Sequence, residues 1–304
     1  MSNPGGSDRR VVIFTDDPGW HGRVLVKALA ARGYHASYAS LTDCVLDLAG
    51  PQARIQIPGF DALPAGAFVR GVPGGTLEAV ILRLNVLHAL DLLGVPVYNK
   101  GRAIERSVDK SLTSFLLLKA GIPTPPTWVL EAREAARELV RTELASGAEL
   151  VLKPLFGSQG EGLQRVQTPA DFESATPVNG VYYLQRFIAP AALPYRDYRV
   201  LVVHGRACFA MSRSSAHWIT NRAQGGVCAP VALTPEMRAL SEAAARALEI
   251  DYAGVDLLQD AEGRWWVGEV NGVPAWWGLQ QACGPAVTDA IVEGFCALLD
   301  GARG

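Results

Sequence analysis

The sequence predicts an α/β fold in which short buried strands alternate with amphipathic helices. Its length of 304 residues is that of two or three domains. Apolar residues make up 49% and charged residues 19%, which is enough apolar surface for more than one core and excludes a disordered chain. Strand-like apolar runs recur between helical patterns, the order typical of α/β domains. The formal net charge of −2 excludes a broadly basic nucleic-acid platform.

The first 100 residues predict a disordered tail at 1–9 and a Rossmann-like α/β domain at 10–100. The predicted elements are strands at 11–14, 33–36, 68–70 and 95–98 and helices at 22–31 and 76–93. Their alternation favours parallel strands. Because the segment contains no G-x-G-x-x-G sequence, nothing in it predicts a dinucleotide site.

Two further α/β units follow, a central domain at 101–184 and a C-terminal domain at 185–304. The proline-rich stretch 122–127 predicts an extended connector, because proline lacks an N–H and restricts the residue before it. The predicted helices lie at 108–120, 131–146, 235–248 and 286–300, and the predicted strands at 150–152, 181–184, 198–203, 206–211, 254–258 and 265–271.

The cysteines and the apolar runs of the sequence predict the cellular location of the protein. The five cysteines are scattered without a C-x-x-C pair, which argues against a disulfide framework and against a zinc site. The N-terminus lacks an apolar signal region, and no run of about 18 apolar residues occurs. We therefore expect a cytoplasmic protein without membrane or nucleic-acid partners, and we expect it to form homo-oligomers.

The strongest local signal is a strand that ends in a lysine and continues into a glycine-rich loop. Lys153 follows the apolar residues 150–152, and Gly157, Gly160 and Gly162 come next, with Ser158 and Gln159 among them. Glycines let backbone N–H groups approach an anion closely. The lysine precedes the glycines, so this is no Walker A sequence. A phosphate-binding lid and an ordinary glycine hairpin both remain open.

Three oxygen-bearing side chains are predicted to meet on a C-terminal hairpin. Glu269 and Asn271 are two residues apart on one strand, so they share a face, and Asp256 lies on the preceding strand. Hard oxygen donors with few carboxylates suit Mg²⁺. An unpaired acid among apolar neighbours would be costly to bury, which favours a metal site over a merely polar strand face.

Cations form a third group of candidates. Each one alone is typical of a solvated surface charge, but Arg199 and Arg213 lie on or beside apolar strands. Together with a metal they could neutralise a phosphoryl group in transfer. The full set is Lys110, Lys153, Arg199, Arg213 and Arg222. A G-x-S-x-G elbow and an H-E-x-x-H pair are both missing from the sequence.

Taken in order, seven segments resemble the RimK-type ATP-grasp ligases. They lie at 109–110, 153–162, 185–188, 197–199, 221–226, 254–256 and 269–274. The resemblance covers about residues 10–300, and the ordered series is more specific than any one motif. The stretches 69–75 and 276–280 look closest to members of the family associated with tetrahydromethanopterin, a one-carbon carrier.

The resemblance implies an ATP-grasp fold and a ligase reaction. It implies a Rossmann-like N-terminal domain, a central lid domain and a C-terminal domain, with ATP bound between the last two and Mg²⁺ or Mn²⁺ as the metal. A carboxylate would attack the γ-phosphate, and an amine, typically that of L-glutamate, would attack the acyl phosphate to give an amide. The partners would then be L-glutamate and a small-molecule carboxylate acceptor.

By position, the resemblance also assigns site residues. Nucleotide contacts fall on Lys110, Lys153, Gly157, Ser158, Gln159, Gly160, Gly162, Gln185, Arg186, Phe187, Ile188, Asp197 and Asn221. Asp256, Glu269 and Asn271 would hold the metal, and Arg213, Arg199 and Asn271 would act in catalysis. The chain departs from the family pattern at Arg186, which replaces a hinge acid, and at Ile219 and Gln224, which replace arginines. Arg222 is a candidate to compensate for those arginines.

The acceptor side is predicted from one arginine and a set of tryptophans. Arg70 ends an apolar strand before a glycine-rich loop, where α/β domains commonly bind ligands, so we expect it to pair with an acidic group of the acceptor. Trp20 and Trp276 would pack on a flat ring. A structural link for the arginine and core packing for the tryptophans remain open. So do another amine donor, a protein C-terminus as acceptor, and a nucleotide-binding protein without turnover.

Overall fold

The computed structural model describes residues 9–157 and 160–302 of the chain. The predicted tail at 1–9 thus lies outside the described residues except for Arg9, and Ser158 and Gln159 also lie outside them. The described chain forms three larger β-sheets, which we name the N-terminal, central and C-terminal sheets, and one small hairpin.

The N-terminal sheet is parallel, as the alternation of elements predicts. Its elements in chain order are β1 (Arg10–Phe14), α1 (Gly19–Ala30), β2 (His35–Ala39), β3 (Val45–Asp47), β4 (Arg54–Gln56), β5 (Gly66–Val69), α2 (Leu77–Leu92) and β6 (Val97–Tyr98). The strand order is β2-β1-β5-β6, and β3 pairs with β4 in a separate hairpin. The sequence analysis missed this hairpin because three-residue strands are too short for alternation to be recognised.

The central sheet is antiparallel with strand order β7-β10-β8-β9. Its elements are β7 (Thr127–Leu130), α5 (Arg133–Ala145), β8 (Leu150–Lys153), β9 (Gln164–Val166), α6 (Pro169–Ser174) and β10 (Tyr182–Arg186). Leu150, Leu152, Tyr182 and Leu184 bury one face against α5 and α6. The alternate residues, which include Lys153 and Gln185, therefore lie on the opposite face.

The C-terminal sheet is also antiparallel, with strand order β13-β12-β11-β14-β15. Its strands are β11 (Tyr195–Val203), β12 (Arg206–Ser215), β13 (Val227–Pro230), β14 (Tyr252–Gln259) and β15 (Trp265–Asn271). The register places Arg199 opposite Asp256, and Asp256 opposite Glu269. Residues directly opposite each other share a face, so the predicted acidic residues meet as expected.

Five helices in the described part of the chain pack around this sheet or connect it to the other sheets. They are α3 (Gly101–Val108), α4 (Lys110–Lys119), α7 (Pro235–Leu248), the short α8 (Trp277–Cys283) and α9 (Ala286–Gly301). The predicted helix at 108–120 is broken at Asp109, whose carboxylate caps α4 by accepting from Ser111 N at 2.8 Å. Ala103 and Leu117 join the C-terminal core, although the sequence analysis assigned 101–122 to the central domain.

Within the described residues, no single helix is long and apolar enough to cross a bilayer. Helices α8 and α9 reach the length and apolar composition of a membrane span only when they are taken together, and the pair is bent by 120°. All five cysteines are free thiols in this structure.

Candidate active site

A cleft of about 850 Å³, open solvent included, lies between the central and C-terminal sheets. Lys153 and Gln185 line it from the central sheet, and Arg213, Asp256 and Glu269 line it from the C-terminal sheet. The cleft therefore joins segments that are more than one hundred residues apart in the sequence. Most of the residues predicted to bind nucleotide and metal meet there.

Lys153 is a partly buried cation of this cleft. Its Nζ donates to Gln185 Oε1 at 2.6 Å. Burial lowers the pKa of Lys153 to about 8, although the nearby Glu269 opposes that shift. A cation taken out of water interacts more strongly with an anion that enters the cleft.

The glycine-rich loop lies over this lysine and contacts the C-terminal domain. Lys110 donates from Nζ to Gly157 O at 2.9 Å, which draws a second ammonium to the loop. Gly160 has a φ of +78°, and a Cβ there would lie 2.8 Å from Ile219 Cγ2 and 3.0 Å from Asn221 Oδ1. The loop is therefore more than a surface hairpin, since it packs on the opposite wall of the cleft.

We expect Gly160→Val to raise the KM for ATP about tenfold, because the side chain adds backbone strain and displaces Ile219 and Asn221. Steady-state kinetics at saturating co-substrates would measure this. Gly147→Val is the matched control, because Gly147 also has a positive φ of +83° but has nothing within 4 Å of a built Cβ. Equal ATP kinetics in the two variants would contradict a role for the close approach.

The hinge at the end of β10 contributes aromatic and aliphatic surface to the cleft. Phe187 and Ile188 line the cleft, and the Phe187 ring lies 6.2 Å from the ring of Trp218. The side chain of Arg186 instead points to α5, where Nε donates to Glu143 Oε2 at 2.5 Å. Neighbouring residues of a strand face opposite ways, so Arg186 borders the cleft while its guanidinium pairs with α5.

Two arginines and two aspartates form a buried ion-pair cluster on the C-terminal sheet. Arg213, 4% exposed, donates to both oxygens of Asp197 at 2.7 and 2.6 Å. Its Nη2 also lies 2.9 Å from Asp256 Oδ2, and Arg199 donates to both Asp256 oxygens at 2.5 and 2.6 Å. Asp197, predicted beside the nucleotide, is therefore bound to the predicted catalytic arginine.

The charges in this cluster perturb each other's titration. Burial opposes ionisation of Asp256, but Arg199 and Arg213 outweigh it and lower the pKa of that carboxyl to about 2. The same two aspartates raise the pKa of Arg213 against its burial. Asp256 and Arg213 are therefore both charged at neutral pH.

The donor set fits a magnesium ion at Glu269 and Asn271. Asn271 Nδ2 donates to Gly254 O at 3.2 Å, which leaves Oδ1 as the free end of the amide. In the described part of the chain, Glu269 forms no hydrogen bond or ion pair, so its carboxylate is open to a ligand. Both oxygens of Asp256 already accept from arginines, so Asp256 would have to share its carboxylate between these arginines and a metal.

On the acceptor side, Arg70 lies near Trp276, and the tryptophan is buried. Arg70 Nη1 donates to Pro274 O at 3.2 Å, and the guanidinium lies 5.1 Å from the Trp276 ring. Trp276 is 1% exposed, and its Nε1 donates to Thr288 Oγ1 at 2.9 Å. Trp20 packs edge-on against it. The prediction that Trp276 presents its ring to a substrate was therefore wrong.

Arg222 is the exposed cation on this side of the cleft. Its guanidinium stacks on the Trp277 ring at 3.7 Å, and it follows Asn221, which lines the cleft. Among the residues that the structure describes, no carboxylate pairs with Arg222 or with Arg70. Two arginines thus flank the segment that follows Asn271.

Two residues that position the site were missed by the sequence analysis. His21 Nε2 accepts from the backbone N–H groups of Trp276 and Trp277, both at 3.2 Å. Burial, with the nearby Arg70, lowers the pKa of His21 to about 4. The ring is therefore neutral at physiological pH and can accept these bonds.

Asn99 is the second missed residue. It is 0% exposed, donates to Tyr252 O at 2.7 Å and Gly272 O at 2.6 Å, and accepts from Asp251 N and Tyr252 N. It thereby joins the end of β6 to the start of β14 and to the residue after Asn271. A buried amide with every bond made leaves no signal in a single sequence.

The chain is similar to a known protein family, to curated sequences and to solved structures. Residues 107–294 match the RimK-like ATP-grasp domain. The tetrahydromethanopterin:alpha-L-glutamate ligase of Methanosarcina acetivorans is 28% identical over 325 aligned positions, which cover 93% of this chain and 97% of that protein. The enzyme of the same name from Methanococcus maripaludis is 35% identical over 75% of this chain and 77% of its own.

Solved structures confirm the predicted fold. The ATP-grasp ligase PsnB, complexed with minimal precursor, Mg and ADP, has a TM-score of 0.74 at 19% identity and covers 96% of this chain and 99% of its own. A RimK domain ATP-grasp protein from Sphaerobacter thermophilus has a TM-score of 0.68 at 23% identity, covering 94% and 98%. Since the domain match spans more than half of the sequence, the chain belongs to the RimK-like ATP-grasp family of C–N-bond-forming ligases.

Proposed function

We propose that this ligase joins L-glutamate to the carboxylate of a small molecule, with a one-carbon carrier cofactor as the acceptor class. One observation supports the proposal: the cleft holds two lysines at a glycine-rich loop together with the open carboxylate of Glu269, and Asn271 follows two residues further along the same face of β15. That arrangement suits the phosphates and metal of ATP. The names of the relatives support glutamate as donor and a pterin-based acceptor.

The first step would be attack by the acceptor's carboxylate oxygen on the γ-phosphorus of ATP. A P–O bond forms to give an acyl phosphate, the bond to the β-phosphate oxygen breaks, and ADP leaves with that electron pair. Lys110 and Lys153 would hold the phosphates, and Arg213 would neutralise charge at the transferred group. Glu269 and Asn271, with Asp256 sharing its carboxylate, would hold Mg²⁺. When bound, this ion supplies charge neutralisation on the phosphate oxygens.

The second step would be attack by the amine nitrogen of glutamate on the acyl carbon. The C–N bond forms, inorganic phosphate leaves with the C–O electron pair, and the amine gives up a proton to solvent. Arg70 and Arg222 would bind carboxylates of the two organic substrates, because no carboxylate in the described part of the chain neutralises either of them. Aligning the two reacting groups is the main task left to the protein.

The proposal is tested by incubating the protein with ATP, Mg²⁺, L-glutamate and a panel of carboxylate acceptors that includes a tetrahydropterin. ADP release that needs both organic substrates, and a product heavier than the acceptor by one glutamyl unit, would support it. ADP release with another amino acid but not with glutamate would show that the amine donor is that amino acid and not glutamate. Mg·ADP binding without turnover of any acceptor would favour a non-catalytic nucleotide-binding protein.

We expect Arg70→Lys to raise the acceptor KM about tenfold and to leave the ATP KM unchanged, because lysine keeps the charge but loses the planar fork. The matched control is Arg83→Lys. Arg83 also donates to backbone carbonyls, those of Pro73 at 2.9 Å and Gly74 at 2.7 Å, but these lie close to it in the sequence, whereas Arg70 reaches Pro274 in the C-terminal domain. A lowered melting temperature without a kinetic change would assign Arg70 a structural role.

A further inference from the structure

Gln185 faces the cleft, but both polar atoms of its side chain already have partners. Oε1 accepts from Lys153 Nζ at 2.6 Å, and Nε2 donates to Thr127 Oγ1 at 2.9 Å and to the Tyr183 hydroxyl at 3.2 Å. The residue is 2% exposed. The carboxamide therefore has no free N–H with which to read a nucleobase.

The partners behind Gln185 fix which way its carboxamide points. Thr127 Oγ1 donates its own hydrogen to Pro125 O at 2.7 Å, so its oxygen can only accept from Gln185. The Tyr183 hydroxyl is also tied to Ser114 Oγ on α4 at 2.7 Å. The amide nitrogen must then face these hydroxyls, and the carbonyl oxygen must face Lys153.

We propose that Gln185 is a positioning residue that holds the Lys153 ammonium ready to contact the nucleotide phosphates. This inference rests on the proposed function, in which Lys153 binds phosphate. A lysine has a flexible four-carbon stem and three equivalent donors, so one fixed acceptor removes much of its freedom before the ligand arrives. Because the acceptor is neutral, the ammonium keeps its whole charge for the phosphates.

The discriminating measurement is calorimetric binding of two probes, Mg·ADP and adenosine, to Gln185→Met. This change keeps the length of the side chain and removes the acceptor. We expect Mg·ADP to bind about tenfold more weakly, since a hydrogen bond to a charged group is lost, and adenosine affinity to stay within about twofold. Equal weakening of both probes would place Gln185 at the base and overturn the proposal.

A double-mutant cycle with Lys153→Met separates this proposal from the proposed function. If Gln185 acts through the lysine, adding Gln185→Met to Lys153→Met should weaken Mg·ADP less than about twofold further. Fully additive losses would overturn the positioning role while leaving phosphate binding intact. An unchanged Mg·ADP affinity in Lys153→Met alone would instead contradict the phosphate assignment, and with it the positioning role that rests on it.

A pair of tyrosines provides a milder test in case Gln185→Met does not fold. Tyr183→Phe removes a hydroxyl that braces the carboxamide. Tyr182→Phe is the matched control, because its hydroxyl accepts from Arg133 at 3.2 Å on the opposite face of the same strand. We expect a Mg·ADP loss of about threefold in Tyr183→Phe only, with similar melting temperatures. The same Mg·ADP affinity in both variants would contradict the proposal.

Discussion

Replacing Glu269 by Gln is expected to reduce turnover at least about a hundredfold while the protein remains folded. The carboxylate is the one open acidic group proposed to hold the metal, and a metal's charge is worth several kcal/mol in such a transition state. In the described structure it accepts no hydrogen bond and forms no ion pair. The amide also removes a like charge opposite Asp256 on β14.

The measurement is kcat with saturating Mg·ATP, together with thermal unfolding without ligands. Glu262→Gln is the matched control, since Glu262 lies near the turn between β14 and β15 and its exposed carboxylate pairs with Arg264. We expect that variant to keep both activity and melting temperature. Turnover within about threefold of the parent in Glu269→Gln would contradict the assignment of this carboxylate to the metal.

The alternation of side chains along a strand was enough to predict the parts of the site that lie on a single hairpin. Glu269 and Asn271 were placed on one face by spacing alone, and the register of β14 and β15 confirms it. The same rule separates the side chains of Gln185 and Arg186, which are neighbours on a strand and point to opposite faces. The break that the structure shows in the predicted helix at 108–120 could also have been predicted, since Asp109 is a strong N-cap residue.

Pairings between distant segments could not be predicted from one sequence. Arg213 binds Asp197 because the register of β11 and β12 brings them together, and spacing along the chain does not give that register. Trp276 is buried by contacts with α1 and α9, and its backbone is held by His21, 255 positions earlier. A tryptophan that lines a ligand pocket and a tryptophan that packs in the core therefore cannot be distinguished from the sequence alone.

Arg213→Met is expected to lower the free energy of unfolding by about 3–5 kcal/mol and to abolish measurable turnover. The stability loss follows because Asp197 would keep a buried charge without its cation, the costly way to break a buried pair. Solvent-exposed ion pairs contribute at most about 1 kcal/mol to the free energy of unfolding. Arg141→Met is therefore the control, because the Arg141–Glu138 pair lies in solvent with side chains 62% and 72% exposed.

The pH dependence of unfolding gives this prediction a definite sign. Asp256 has its pKa lowered from 3.8 to about 2, so its stabilising contribution is complete above about pH 4 and is lost as the pH falls towards 2. With Arg213 removed, less of that lowering remains. Acid unfolding of Arg213→Met should therefore begin at a higher pH than that of the parent protein.

A second substitution separates the structural from the chemical role of Arg213. Asp197→Asn in the Arg213→Met background removes the orphaned charge, so we expect it to recover part of the lost stability. Turnover should stay absent, because the guanidinium proposed to neutralise the transferred phosphoryl group is then missing. If the double variant regained turnover along with stability, Arg213 would serve the fold alone, and charge neutralisation would have to come from Arg199 and the two lysines.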